Sequence, residues 1–220
     1  MVNRIMRWLF PPKCILCGKL LENDETDLCR QCRVDAPVCG GSRKKLPFLD
    51  GWTAVWYYED PVRSSILRYK FSGKRSYAPA YGRLLAMKLQ QTHPEGFDVL
   101  TWVPVSAVRR FTRGYDQVEL LAAAVGKELG MEPVPMLKKV RHNRAQSGIS
   151  GQAERRANVL GVYRVTDPRQ VAGKKILILD DVITSGATVG ECARVLLTAG
   201  AGEVHCGALA VAGHQAKGSR

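Results

Sequence analysis

The sequence predicts an α/β protein in which a mostly parallel sheet is flanked by helices and preceded by a small cysteine-rich module. Segments rich in β-branched and aromatic residues alternate with amphipathic segments, which is the pattern of parallel strands joined by crossover helices. Four of the seven cysteines fall within the first 32 residues. With 220 residues, of which 45% are hydrophobic, the chain is long enough to form one sizeable core.

The predicted elements follow a basic connector at residues 41–51. We expect strands at 52–59, 99–105, 176–179 and 204–212, and helices at about 61–70, 77–91, 118–130 and 188–199. Residues 106–117 should form a basic loop after the second strand. Residues 137–165 are polar, contain glycine and are bounded by strand-like ends, so we expect a long excursion from the sheet, and excursions of this length are often functional lids.

The early cysteines form two CxxC pairs, at 14–17 and 29–32, with 11 residues between them. Each pair places two thiolates on one tight turn, and two such turns complete the tetrahedral sulfur set of a structural zinc site. Four sulfurs leave no open position, so the ion would serve folding. The expected ligands are Cys14, Cys17, Cys29 and Cys32. Disulfides and redox thiols are the alternatives, but the chain shows no secretion signal that would favour them.

The other three cysteines need no metal. Cys39 lies in PVCGGS, which looks like a third CxxC pair whose second member is Ser42, so it cannot complete a second four-sulfur site. Cys192 and Cys206 fall in apolar helix and strand patterns, and we expect both to be buried.

The charge balance favours anionic partners. The chain has 33 Lys and Arg against 20 Asp and Glu, a formal net charge of +13, which suits phosphorylated metabolites, nucleic acid or a membrane face. No stretch approaches the roughly 20 apolar residues of a spanning helix. Residues 1–14 are read as an amphipathic lead-in and not a signal peptide, which implies a cytoplasmic setting. They would pack on the neighbouring module or, as a weaker alternative, touch a membrane surface.

The strongest signal is ILILDDVITSGAT at residues 176–188, where a buried strand leads into two acids and a hydroxyl-rich turn. Ligands of a parallel sheet bind beyond the carboxyl ends of its strands, which is where Asp180 and Asp181 should lie. The turn then enters a helix N-terminus, which attracts phosphate. Hydroxyl donors and a permissive glycine are supplied by Thr184, Ser185, Gly186 and Thr188. An anion cradle beside two hydrogen-bond acceptors suits a sugar phosphate.

These thirteen residues resemble the phosphoribosyl pyrophosphate (PRPP) motif of the type I phosphoribosyltransferases. That motif has four hydrophobics, two acids, two hydrophobics, two Thr or Ser, Gly, any residue and a final Thr or Ser, and all thirteen positions fit. The resemblance implies the type I phosphoribosyltransferase fold, with PRPP and Mg²⁺ as ligands. The expected domains are a zinc-ribbon-like module at 1–46, the phosphoribosyltransferase-like domain at 47–214 and a tail at 215–220.

Nearly the whole chain resembles the ComF (GntX-like) competence protein family. The shared segments are the paired CxxC knuckles, YEDPVRSSILRYKFSGKRSYAPAYGRLLA with its K-x-x-G, VPVSAVRRFTRGYDQVELLA and RAQSGISGQAERRANVLGVY. Asp116 stands where that family usually has Asn, and Ile149 where it has Leu. The extra charge of Asp116 beside a pyrophosphate would be unfavourable unless the side chain is turned away.

The resemblance also implies residue roles. Asp180 and Asp181 would hold the ribose 2- and 3-hydroxyls, with Arg113 as a further catalytic residue. Residues 183–188 would hold the 5-phosphate. The full set of residues lining this part of the ligand would be Val182, Ile183, Thr184, Ser185, Gly186, Ala187 and Thr188. The pyrophosphate would be faced by Val105, Ser106, Ala107 and Arg109, with Arg113 and Gln117 on the same side. Residues 141–158, including Arg144 and Gln146, would form a mobile loop.

Two functions remain open on the sequence alone. An enzyme would transfer phosphoribose from PRPP to an unidentified nitrogen acceptor and release pyrophosphate, mainly by positioning and charge stabilisation. A non-catalytic module would sense PRPP and bind single-stranded DNA, together with competence-machinery proteins, during natural transformation. Several aromatic residues could stack bases: Trp52, Trp56, Tyr57, Phe71 and Tyr77. Packing in the core is the commoner role of such residues. A structural partner of a motor protein in that pathway is a third, weaker hypothesis.

Overall fold

The computed structural model describes residues 11–40, 45–141 and 151–213, without the side chains of Ala107, Arg109, Arg113 and Gln152. The helices are α1 Arg30–Asp35, α2 Val62–Phe71, α3 Ala78–Thr92, α4 Ala107–Arg113, α5 Gln117–Leu129, α6 Gln152–Val159 and α7 Ala187–Thr198. The strands are β1 Gly51–Tyr57, β2 Val99–Trp102, β3 Leu137–Lys139, β4 Tyr163–Val165, β5 Lys175–Ile183 and β6 Glu203–Val211.

Four parallel strands form the main sheet in the order β1-β6-β5-β2, and β3 pairs with β4 in a separate antiparallel ribbon. Helices cover both faces, so the aliphatic side chains of β5 are buried on both sides. Leu177 and Leu179 pack with the side of α2, α3 and α5, whereas Ile176 and Ile178 pack with the side of α7. The predicted parallel α/β fold class is confirmed.

Strand β5 is longer than the sequence predicted. We expected it to end before the acidic pair, but it continues to Ile183, with Asp180 opposite Ala208 and Val182 opposite Ala210 of β6. The expectation was wrong because ladder pairing uses backbone groups, which an acidic side chain leaves free. The two aspartates are therefore held by the sheet itself.

Two further expectations need correction. Residues 106–117 are not a loop throughout, since they contain helix α4, and β2 ends at Trp102 rather than at 105. The strand-like ends predicted for the excursion at 137–165 are confirmed as β3 and β4; the excursion also contains α6, and residues 142–150 lie outside the described part of the chain. Short, locally bonded elements such as these leave little periodic signal in a polar sequence.

The N-terminal module packs on α2 and on the edge of β1. Val38 forms an antiparallel bridge with Trp56, which adds a short segment to the sheet edge. From α2, the Ser65 hydroxyl donates to the carbonyl of Ile15, and the Arg68 guanidinium donates to the carbonyl of Leu16 at 2.6 Å. Both carbonyls belong to the first CxxC turn, so α2 directly supports it. Residues 1–10 of the predicted lead-in at 1–14 lie outside the described residues.

Candidate functional site

The acidic pair lies on the two faces of β5, because successive side chains of a strand point in opposite directions. Asp181 is buried and contacts the α2 and α5 side: its Oδ1 lies 2.8 Å from Lys70 Nζ, and its Oδ2 accepts a hydrogen bond from Gln117 Nε2 at 3.0 Å. Both oxygens of Asp181 are thus engaged by the protein, although a carboxylate has lone pairs for further donors.

Asp180 is the more accessible member of the pair. Its Oδ1 accepts the backbone N–H of Asp181 at 2.8 Å, and its side chain is half-buried. Burial and the neighbouring charge of Asp181 raise the pKa of Asp180 to about 8, with Lys70 partly offsetting the rise. The two carboxylates that the sequence presents as equivalent therefore differ, since Asp181 is ion-paired and Asp180 is poorly compensated.

A buried tyrosine positions the contacts of Asp181. Tyr69, next to Lys70 on α2, is fully buried and donates its hydroxyl to the carbonyl of Gln117 at 2.6 Å. The Tyr115 hydroxyl in turn donates to the carbonyl of Tyr69. The end of α2 and the start of α5 are thereby fastened together, which brings Lys70 and Gln117 to the same carboxylate.

The hydroxyl-rich turn links β5 to the N-terminus of α7. Thr184 is exposed and Ser185 half-exposed, and Ser185 Oγ accepts the N–H of Ala187 at 3.3 Å. Gly186 has a left-handed φ of 79°, and a Cβ at this position would lie 2.6 Å from Leu46 Cδ2. Glycine is therefore required there by both conformation and space. Ala187 and Thr188, both half-exposed, begin the helix, where backbone N–H groups lack intrahelical acceptors.

Two residues of the motif lie in the strand rather than in the turn. Val182 and Ile183 have buried side chains within β5, so only their backbone could face a ligand. The predicted cradle accordingly consists of residues 184–188.

The carboxylate of Asp116 is engaged by backbone donors of the protein. Its side chain is fully buried at the start of α5, where Oδ1 accepts the N–H groups of Val118 at 2.9 Å and Glu119 at 3.1 Å. Its Oδ2 accepts the N–H of Val105 at 3.3 Å. The negative charge is thus directed at a helix N-terminus, which stabilises it. The same contact occupies the N–H of Val105, a residue expected to face pyrophosphate.

The four early cysteines form one cluster. The Sγ atoms of Cys14, Cys17, Cys29 and Cys32 all lie within 4.8 Å of one another, and three of these residues are buried. Burial disfavours the Cys14 thiolate, but hydrogen bonds with neighbouring backbone groups outweigh it and lower the pKa of Cys14 to about 7. Four sulfurs at this spacing fit a structural zinc ion, whose closed shell would fasten two turns and leave no position for a substrate.

Comparison with known proteins agrees with both parts of the chain. A family model described as "Phosphoribosyl transferase domain" matches residues 90–220, and one described as "Double zinc ribbon domain" matches residues 5–45. The DNA utilization protein YhgH of Escherichia coli K12 is 30% identical over 200 residues, covering 87% of this chain and 86% of that protein. The competence protein ComFC of Streptococcus pneumoniae is 30% identical over 226 residues, covering 87% and 96%. The chain belongs to the ComF/YhgH family.

A solved structure is more distantly similar. The glutamine PRPP amidotransferase of B. subtilis, complexed with ADP and GMP, is 25% identical, with a TM-score of 0.42, and the match covers 64% of this chain. This chain spans about a third of that one, since the match covers 30% of it. No helix in the described ranges of our ComF/YhgH chain has the length and apolarity to cross a bilayer.

Several predicted site residues of this ComF/YhgH chain are not described in full. Ala107, Arg109 and Arg113 lie on α4, but their side chains lie outside the described part, as do Arg144 and Gln146 altogether. Ser106 precedes α4, and its carbonyl accepts the N–H of Arg110 at 2.9 Å. Of the residues expected on the pyrophosphate side, Gln117 is brought into contact with the acidic pair.

Sequence reasoning assigned no role to Lys70. The residue is 111 positions from Asp181 in the chain, yet its ammonium group makes the ion pair of the site. The available signal was the K-x-x-G at 70–73 within the ComF-like segment. That pattern shows a lysine at a helix end but does not show what it faces.

Proposed function

We propose that the protein binds PRPP, or a related phosphorylated sugar, and transfers phosphoribose to a nitrogen acceptor with release of pyrophosphate. The carrying observation is that one continuous stretch delivers two carboxylates from β5 and, six residues after Asp181, the first residue of α7. Such a spacing suits a pentose whose hydroxyls need acceptors and whose 5-phosphate needs donors. Membership of the ComF/YhgH family supports the assignment.

Each group then has a task. Asp180 and Asp181 would accept hydrogen bonds from the ribose hydroxyls, and the N–H and hydroxyl groups of 184–188 would hold the 5-phosphate. Half-exposed Asp180 offers the hard oxygen donors that Mg²⁺ prefers. When bound with PRPP, Mg²⁺ would neutralise charge on the pyrophosphate as the C1–O bond breaks. The chain's contribution is to hold C1 in one orientation while the leaving group departs.

The cellular role proposed is DNA utilization in competence, since YhgH is named a DNA utilization protein and ComFC a competence protein. A binding and turnover experiment tests the chemistry. PRPP affinity is measured for the wild type, for the Asp180→Asn/Asp181→Asn double variant and for Asp98→Asn, an acidic control at the opposite end of the sheet. Pyrophosphate release is then followed over a panel of nitrogenous bases.

We expect the wild type and Asp98→Asn to bind PRPP and the double variant to lose at least tenfold in affinity. Pyrophosphate release with one base of the panel would support the enzyme. Binding of PRPP equally well by the double variant would contradict the proposed site.

A second candidate function, a non-catalytic module that binds single-stranded DNA, is favoured by one surface feature. Phe111 on the basic helix α4 is 92% exposed, and Phe71 at the end of α2 is 65% exposed. Exposed aromatics among cations are the ordinary platform for single-stranded bases. Trp56, in contrast, is only 2% exposed, so it is a core residue and cannot stack a base. Salt separates the possibilities, because binding through several phosphates weakens steeply as salt rises.

If PRPP binds but no base is turned over, and Phe111→Ala lowers affinity for oligothymidylate, the module is favoured over the enzyme. A flat salt response of oligonucleotide binding, with no effect of Phe111→Ala, would count against it. Leu160 is also exposed but lies away from α4, so Leu160→Ala serves as the matched control for Phe111→Ala.

A further inference from the structure

We propose that Lys70 is a further ligand-binding residue, a cation supplied by the chain that neutralises the acidic pair and donates to an oxygen of the bound sugar phosphate. This inference rests on the proposed function, because it assigns a residue to the same site. Its consequence is that the acidic pair should accept an anionic ligand even without a divalent cation.

The position of Lys70 supports a role at the site. Its Nζ lies 2.8 Å from Asp181 Oδ1, and its side chain is 18% exposed. An ammonium group has three N–H donors, and the ion pair with Asp181 uses one of them. The exposed 18% of the Lys70 side chain leaves it accessible to a ligand from solvent.

The charge of the site explains the need for this cation. Two neighbouring carboxylates in a partly desolvated setting would repel a phosphorylated ligand unless positive charge lies beside them. Lys70 supplies such a charge, because its Nζ lies 2.8 Å from Asp181 Oδ1 and Asp180 is the preceding residue of β5.

Stability alone gives a poor reason for this ion pair. Buried pairs cost desolvation and often contribute little net stability compared with apolar side chains of the same size. Here the helix end that carries Lys70 is nevertheless fixed from two sides, by the Tyr69 hydroxyl on the carbonyl of Gln117 and by the Tyr115 hydroxyl on the carbonyl of Tyr69. Fixing a cation in this way keeps it beside the acids while a ligand enters or leaves, as a preformed binding site requires.

The test compares PRPP binding with and without metal. Equilibrium affinities are measured by calorimetry in excess EDTA and in Mg²⁺ for the wild type, Lys70→Met and Lys70→Arg. Lys127→Met is the matched control, because it removes the same charge from an exposed position near the far end of α5.

We expect wild-type affinity to fall less than about tenfold in EDTA. Lys70→Met should lose about thirtyfold or more in EDTA but under fivefold in Mg²⁺, because the ion can then supply the missing charge. Lys70→Arg should retain most of the affinity, and Lys127→Met should match the wild type in both conditions.

Three results would overturn the inference while leaving the proposed function intact: wild-type binding that vanishes in EDTA, Lys70→Met with wild-type affinity in EDTA, or a loss in Lys70→Met that is equal with and without Mg²⁺. An absence of PRPP binding by the wild type in either condition would instead remove the proposed function itself. If Lys70→Met fails to fold, as judged by near-ultraviolet circular dichroism, Lys70→Gln replaces it and the same comparison decides.

Discussion

Replacing Asp116 should destabilise the protein by an amount that the contacts of its carboxylate predict. In Asp116→Ala, α5 loses an N-cap that accepts from Val118 and Glu119, a loss that typically costs about 1 kcal/mol. The N–H of Val105 also loses its acceptor, which costs a further ~1 kcal/mol, at the low end for a part-buried donor. We therefore expect a loss of about 2 kcal/mol, or roughly 4–8 °C in Tm for a chain of this size.

Asp116→Asn should be milder, because its amide oxygen can keep the bonds to Val118 and Glu119. What it loses is the attraction of a negative charge for the helix N-terminus and for the exposed Arg110 guanidinium, 3.7 Å from Oδ2, and the acceptor for Val105, together about 1 kcal/mol. The assay is equilibrium urea unfolding of both variants, with Asp167→Ala as the control. Asp167 caps the short turn at Pro168–Gln170 and pairs with the exposed guanidinium of Arg169, so its loss should cost about 1 kcal/mol and stay below that of Asp116→Ala.

The prediction fails if the free energy of unfolding of Asp116→Ala lies within 0.5 kcal/mol of that of the wild type. That result would mean that the carboxylate is not held at the helix start, and the question of its charge beside a pyrophosphate would return. An increase in PRPP affinity for Asp116→Asn larger than about threefold would point the same way.

The remaining predictions concern the zinc cluster, the acidic pair and the turn. Cys32→Ser should reduce bound zinc from one ion per chain to near zero by elemental analysis and lower Tm; a variant that keeps its zinc would exclude the cluster. Asp180→Asn should become more stable relative to the wild type as pH rises from about 4 to about 8, because over this range Asp180 is ionised in the unfolded chain but keeps its proton in the folded one, where its pKa is raised to about 8. A difference in stability that is constant over this range would refute the prediction. Gly186→Ala should cost about 1–2 kcal/mol in urea unfolding for its left-handed φ, and more for its contact with Leu46. In a Leu46→Ala background, which is itself destabilised because Leu46 is buried, the further cost of Gly186→Ala should shrink to the first part, and no loss in either background would contradict the turn geometry.

The sequence predicts the fold class and the motif well because both depend on local patterns. Continuous aliphatic runs indicate buried parallel strands, and the cysteine spacing predicts a cluster that the structure does form. A thirteen-residue pattern likewise places Asp181 and Gly186 on one strand-to-helix connection without any knowledge of distant contacts.

What the sequence could not predict depends on contacts between distant segments. Lys70 reaches Asp181 only because Tyr69 fastens α2 to α5, a packing arrangement that no local period encodes. The orientation of Asp116 is a matter of which N–H groups lie beside it after folding. The extension of β5 through Asp180 depends on pairing with β6, which follows it in the chain and gives no signal at the acids themselves.

The most direct test of the account is a crystal structure of the protein with PRPP and Mg²⁺. We predict that the ribose hydroxyls lie within hydrogen-bonding distance of Asp180 and Asp181 and that the 5-phosphate lies against the backbone N–H groups of residues 184–188. PRPP bound at another surface, or in this turn with its ribose turned away from both aspartates, would contradict the account.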